Sequence, residues 1–103
     1  MKEDQEFLNL LRQLSMKPNS SQRELADSLG FSLGKLNYCL KALKVKGIIK
    51  IKNFKKNPKK LNYIYSLTPK GISYRINLTI NFMKLKMIEY DQLKKEIRKI
   101  KRK

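Results

Sequence analysis

The chain has no histidine and no tryptophan, and one cysteine in 103 residues. Without histidine there is no His-based triad, no imidazole general base and no imidazole zinc site. A single thiol forms no intrachain disulfide and no thiolate cluster, which excludes a secreted disulfide scaffold. Acidic residues are scarce as well, 8 Asp and Glu against 25 Lys and Arg, a net charge of +17. The few acids are scattered, no glycine-rich phosphate loop is present and no nucleophile has a base partner, so the chain is not expected to be an enzyme. No cofactor and no metal are expected. No uninterrupted apolar run approaches ~20 residues, so no membrane span is expected. The start Met1-Lys2-Glu3-Asp4-Gln5-Glu6 lacks the basic-then-apolar order of a signal peptide, and a reducing, cytoplasmic location is expected.

What is present is a globular balance, 41% hydrophobic and 32% charged residues, in a length that suits one folding unit. The charge is unevenly spread. Residues 1–40 hold five basic and five acidic residues, residues 41–70 hold ten lysines and no acid, and residues 71–103 hold ten basic and three acidic residues. A one-sided excess of this size costs self-repulsion that a polyanion relieves, with nucleic acid the first candidate and an anionic lipid surface the second.

Phe7, Leu8, Leu11 and Leu14, widened by Leu10, recur at helical spacing and predict a helix from about Glu3 to Met16, ended by Lys17-Pro18-Asn19. Ser21-Gln22-Arg23-Glu24 reads as a capping box for a second helix that buries Leu25, Ala26 and Leu29. Gly30 stands where a helix commonly stops in a left-handed residue, Phe31 packs, and Ser32 caps a third helix. That helix carries Leu33, Leu36, Leu40 and Leu43 on one face and leaves Lys35, Asn37, Tyr38, Lys41 and Lys44 outside it. Two helices meeting across a three- to four-residue turn, with small Ala26 before it and Leu36 beneath it, form a helix-turn-helix.

Ile48 to Phe54 alternates as a strand, with Ile49 and Ile51 inward and Lys50 and Lys52 outward. Lys55 to Lys60 reads as a charged turn, and Leu61 to Leu67 as the return strand. A hairpin after a recognition helix is a wing. Tyr63 and Tyr65 share a strand face with Leu67, which favours core packing over base stacking. Thr68 and Pro69 open a last helix. Its apolar stripe, Ile72, Ile76, Ile80, Met83, Met87, Tyr90, Leu93, Ile97 and Ile100, exceeds what a small body can cover. The fold expected is mainly α with a small β-hairpin: a winged helix-turn-helix DNA-binding domain over residues 1–70, then a long C-terminal dimerisation helix with a basic tail over 71–103. The dimer interface is assigned to Ile76, Ile80, Met83, Met87, Tyr90, Leu93 and Ile97. The tail from Lys94 either extends that seam or lies on anionic lipid.

These residues resemble a family. Ser21 to Ala26, Leu29-Gly30, Ser32 to Leu43, Lys46-Gly47 and Tyr65 to Gly71 are similar to MarR-type winged-helix transcriptional regulators, and within them to the short branch associated with exopolysaccharide (EPS) gene clusters. The likeness continues through Phe82, Lys84, Glu89-Tyr90 and Leu93. It implies a homodimer that binds pseudo-palindromic DNA and controls transcription of polysaccharide genes. The chain departs from larger members in having one long C-terminal helix, and in carrying Lys55 to Lys60 where their wing tip often has an Asp-and-Arg motif.

The third helix is expected in the major groove, where base edges distinguish all four pairs. Ser32 and Lys35 stand near its start, within reach of phosphate or base edges. Asn37 suits bidentate pairing with adenine, Lys35 donation to guanine, and Tyr38 a thymine methyl; Lys41 completes the set. The wing lysines Lys50, Lys52, Lys55, Lys56, Lys59 and Lys60 are expected on phosphates, fixing register without reading sequence. Cys39 lies on the packed side and reads as a buried filler rather than a redox sensor. No polar cluster identifies an effector. Two rival readings use the same charge: an RNA-binding or architectural protein with little sequence preference, and a protein-binding adaptor.

Overall fold

The computed structural model describes residues 2–57 and 60–102, with side chains described outside 53–63. Helix α1 (Lys2–Met16) is followed by α2 (Gln22–Leu29), α3 (Leu33–Val45), a hairpin of β1 (Ile49–Asn57) and β2 (Lys60–Leu67), and α4 (Pro69–Lys101). It is a winged helix-turn-helix with a long C-terminal helix.

Local chemistry sets most of the boundaries. Ser21 caps α2 by accepting the Glu24 N–H at 3.1 Å. The Glu24 carboxylate returns to the Ser21 hydroxyl, at 3.1 Å, rather than to the backbone N–H that a full capping box would engage. Gly30 ends α2 with φ 69°, a left-handed conformation that costs glycine little. Its N–H donates to the Ala26 and Asp27 carbonyls, and Phe31 N–H donates to Ala26 O at 2.9 Å. Ser32 then caps α3 by accepting the Lys35 N–H.

The core lies where α1, α2, α3 and the base of the hairpin meet: Phe7, Leu10, Leu11, Leu14, Leu25, Ala26, Leu36, Cys39, Leu40, Leu43, Ile48, Ile49 and Tyr65. Leu33, expected on the inner face of α3, is exposed. It opens the first turn of α3, beyond the edge of the packed cluster, and Cys39 fills the inner face in its place. Leu29, Phe31, Ile51 and Leu67 pack against the cluster from its margin.

The strands pair antiparallel from Ile49 with Leu67 to Asn57 with Lys60, with an irregularity between Lys55 and Asn57. Lys55, Lys56 and Lys60 therefore lie in strands, not in a six-residue turn. Strand pairing is made by backbone groups, so a lysine run does not by itself mark where pairing stops. Lys59 and the side chains of Lys55, Lys56, Lys60 and Tyr63 lie outside the described residues.

Thr68 caps α4 and ties it to the wing base: its N–H donates to Ile48 O at 3.0 Å, and its hydroxyl reaches the Gly47 and Ile48 carbonyls. Gly71 makes this junction possible. A Cβ there would stand 2.0 Å from the Ile48 carbonyl oxygen. The face of α4 that meets the body is Gly71, Tyr74 and Leu78. The predicted stripe, Ile72 through Ile100, points elsewhere and is exposed along its length. The helix thus has two apolar faces, a short one for its own body and a long one that the chain leaves uncovered.

Candidate nucleic-acid interface

The polar surface of α3 is built around its packed face. Leu36, Cys39, Leu40 and Leu43 point into the core, so at 100° per residue the opposite side centres on Gly34, Tyr38, Lys41 and Val45. Tyr38 is 63% exposed and Val45 79%. A Cβ added at Gly34 would meet only the Ser32 hydroxyl, at 4.0 Å, so bare backbone faces outward there. Gly34 and Val45 are not legible in the sequence as part of this outward face. Neither carries a polar group, and only the burial of the other face reveals them.

Lys35 and Asn37 flank this surface on opposite sides. Residues two apart on a helix are about 200° apart, so the two do not share a face. Lys35 turns toward α1, where its ammonium stands 2.8 Å from a Glu6 carboxylate oxygen and 4.8 Å from the Phe31 ring centroid. It is engaged within the chain in this structure. Asn37 turns the other way. With Lys41 and Lys44 it borders a recess of about 260 Å³ that Gln22, Leu40, Ile51 and Tyr65 complete. Lys44 joins Asn37 and Lys41 because i, i+4 and i+7 align on one face.

That recess has a fixed rim. Gln22, at the first position of α2, donates its side-chain N–H to the Tyr65 hydroxyl at 2.9 Å. The bond joins the helix-turn-helix to the wing across 43 residues of sequence. Tyr65 is therefore a core residue with a polar handle, as its strand alternation predicts. Lys50 is exposed on β1 beside the inward Ile49, and Lys52 follows on the same outward side. Ser32 remains exposed, its oxygen occupied by the α3 cap.

Cys39 is buried. Burial raises its thiol pKa, Glu6 and Glu3 raise it further, and Lys35 opposes them. Among the described residues no cluster of His, Cys, Asp or Glu could hold a metal ion. No helix there is long and apolar enough to cross a membrane.

A groove of about 530 Å³ between α1 and α4 is lined by Leu8, Arg12, Arg75, Thr79, Phe82, Met83, Lys86 and Met87. Arg75 donates to the Ser15 hydroxyl at 2.8 Å. This grouping of three cations around an apolar floor is not legible in the sequence either, because α1 and α4 lie at opposite ends of the chain.

Residues 8–50 match the family model described as a winged helix-turn-helix DNA-binding domain. No curated protein matches the chain in sequence. Among solved structures the fold is similar to the PcaV transcriptional regulator of Streptomyces coelicolor, in complex with its natural ligand (TM-score 0.69, 15% identity, 91% of this chain and 71% of that one). It is similar to MarR of Staphylococcus aureus, in complex with salicylate and kanamycin (TM-score 0.62, 18% identity, 93% and 67%). It is also similar to the transcriptional repressor CouR bound to a 23-mer DNA duplex (TM-score 0.60, 24% identity, 70% and 49%). At these identities the likeness is one of fold.

Proposed function

We propose that the chain is a sequence-specific, double-stranded-DNA-binding transcriptional regulator that acts as a homodimer. The observation that carries the reading is the uncovered polar face of α3, with Tyr38, Asn37 and Lys41 exposed beside the exposed lysines of β1. In the major groove, Tyr38 and Lys41 face the base edges, and Asn37 suits adenine. Lys44, Lys50 and Lys52 ride on phosphates, and Ser32 stands at the helix start where a phosphate approaches. Lys35 reads guanine only by leaving Glu6. The CouR neighbour was solved bound to a DNA duplex, which supports a duplex partner for this fold.

The apolar stripe of α4, from Ile76 to Ile97, supplies the dimer seam in this reading. The resemblance to the EPS-associated branch makes polysaccharide gene clusters the first targets to examine. The function requires no catalysis and no cofactor.

Selection of bound duplexes from a random pool tests the proposal. The expected product is a palindromic consensus, preferred over random duplex by ~10³ or more. Tight binding with no consensus would favour an architectural role, and retention of RNA but not duplex DNA would remove the regulator reading.

A further inference from the structure

The seam can be specified further, resting on the homodimer reading above. We infer that two copies of α4 pair as an antiparallel coiled coil centred between Met87 and Tyr90. Ile80 then packs against the partner's Ile97, and Met87 against the partner's Tyr90. The two winged bodies sit at opposite ends of the coil.

The spacing comes first. Ile76, Ile80, Met83, Met87, Tyr90, Lys94, Ile97 and Lys101 follow one another at alternating steps of four and three. That is the 3.5-residue repeat of a two-stranded seam. All eight are exposed in the single chain, and two of them are lysines.

Those lysines decide the polarity. In a parallel pair each seam position meets its own copy, so Lys94 faces the partner's Lys94 and Lys101 the partner's Lys101. Residues 94–102 carry six basic side chains and one acid, Glu96. Parallel pairing sets two such tails a few ångströms apart. Antiparallel pairing places Lys94 against the partner's Met83 and Lys101 against the partner's Ile76. It moves the two Lys101 positions 25 residues apart along the axis, about 37 Å, well beyond the ~8 Å Debye length of physiological salt. Each tail then ends level with Tyr74 of the other copy along the axis, far from the other basic tail.

Asp91 decides the register. In the antiparallel coil centred between Met87 and Tyr90, the flanking position opposite Asp91 is the partner's Lys84, and the pair forms twice. Sliding the helices by one heptad in one direction sets Lys84 against the partner's Lys84. Sliding in the other sets Asp91 against the partner's Asp91 and Lys84 against the partner's Arg98. One register of the three avoids like-charge contacts at these sites. In it, the stem of Lys86 covers the partner's Leu93.

The geometry has a consequence at the DNA. A two-fold axis perpendicular to the coil relates the two bodies. Their attachment points, near Ile76 in each copy, are about 37 Å apart along the helix axis. One turn of duplex separates half-sites by ~34 Å.

Double electron–electron resonance on the full chain tests the inference, with a nitroxide at Lys101→Cys in a Cys39→Ala background and the mass measured on the same sample. The expected result is a dimer with a mean interspin distance of about 37 Å. A dimer with a distance below about 20 Å is a parallel coil and overturns the polarity. A dimer at another long distance overturns the register. A monomer at every concentration, with no dipolar signal, removes the homodimer reading itself. A complementary mixture of Ile80→Cys and Ile97→Cys chains should cross-link, while each alone should not. Both sites are exposed in the monomer, so neither substitution threatens the fold.

Discussion

The body and the last helix handle apolar side chains in opposite ways. In the body, thirteen residues from Phe7 to Tyr65 form one cluster, each 3% exposed or less. Along α4, Ile76, Met83, Met87, Tyr90, Leu93 and Ile97 are each half-exposed or more. The body closes its core within one chain. Beyond Leu78, α4 has no such cover among the described residues, and each of these half-exposed side chains gains on the order of 1 kcal/mol if another surface covers it. The first region should therefore be sensitive to mutation through folding, and the second through association.

The largest effect is expected where the two regions join. Gly71→Val places a Cβ against the Ile48 carbonyl, a backbone atom that cannot step aside. Undocking α4 from the wing base should cost about 4 kcal/mol, at the severe end for single substitutions, measured by denaturant unfolding. A loss under ~1 kcal/mol would mean that α4 is not seated on Ile48 as described.

The next pair sets one region against the other. Leu11→Ala, at a fully buried position, should lower unfolding stability by about 3 kcal/mol with little effect on association once folded. Ile80→Asn should leave the unfolding of the monomer near wild type and weaken the dimer about a hundredfold. Analytical ultracentrifugation alongside denaturant melts reads both. An Ile80→Asn chain that unfolds easily as a monomer would erase the distinction between core and seam.

What is legible in the sequence follows the same division. The helix-turn-helix can be read because its signals are local: Ser21 and Ser32 cap, Gly30 turns, and the leucines mark the inner face within a few residues of each other. Periodicity alone places Cys39 and Tyr65 in the core. It does not give the length of the hairpin, because the backbone groups that pair the strands leave no periodic mark on a run of lysines. The docking face of α4 is hidden for another reason. Gly71, Tyr74 and Leu78 are fewer than the isoleucines and methionines of the outward stripe, so the stronger pattern masks the weaker one. The contacts of Lys35 with Glu6 and of Gln22 with Tyr65 join distant segments, and no spacing rule announces them.

The interface lysines give a smaller, salt-dependent effect. With about eight phosphates neutralised by a dimer, log affinity should fall with log salt at a slope near −7. Lys50→Gln with Lys52→Gln removes four of those charges from the dimer and should flatten the slope by about 3.6. The preferred sequence should not change, since phosphate contacts position rather than read. Tyr38→Ala should do the converse, relaxing the consensus while leaving the slope. A slope and a consensus that both variants leave alone would separate α3 and the wing from the DNA.

The smallest effect is expected at Cys39, which packs the inner face of α3 into the body. Burial raises the thiol pKa, helped by the Glu6 and Glu3 carboxylates and opposed by Lys35. A raised folded-state pKa means that the folded chain holds the proton more tightly than the unfolded one. The resulting stability is fully present below the unfolded thiol pKa and is lost as pH rises through the folded value. Unfolding stability should therefore decline on the alkaline side of the ordinary thiol range, and Cys39→Ala should remove that part of the decline. The native thiol should also react with a disulfide reagent far more slowly than the unfolded chain, because both the thiolate and access to it are suppressed. Fast modification of the folded protein at neutral pH would place Cys39 outside the core, and with it the inner face of α3 from which the outward polar side is reckoned.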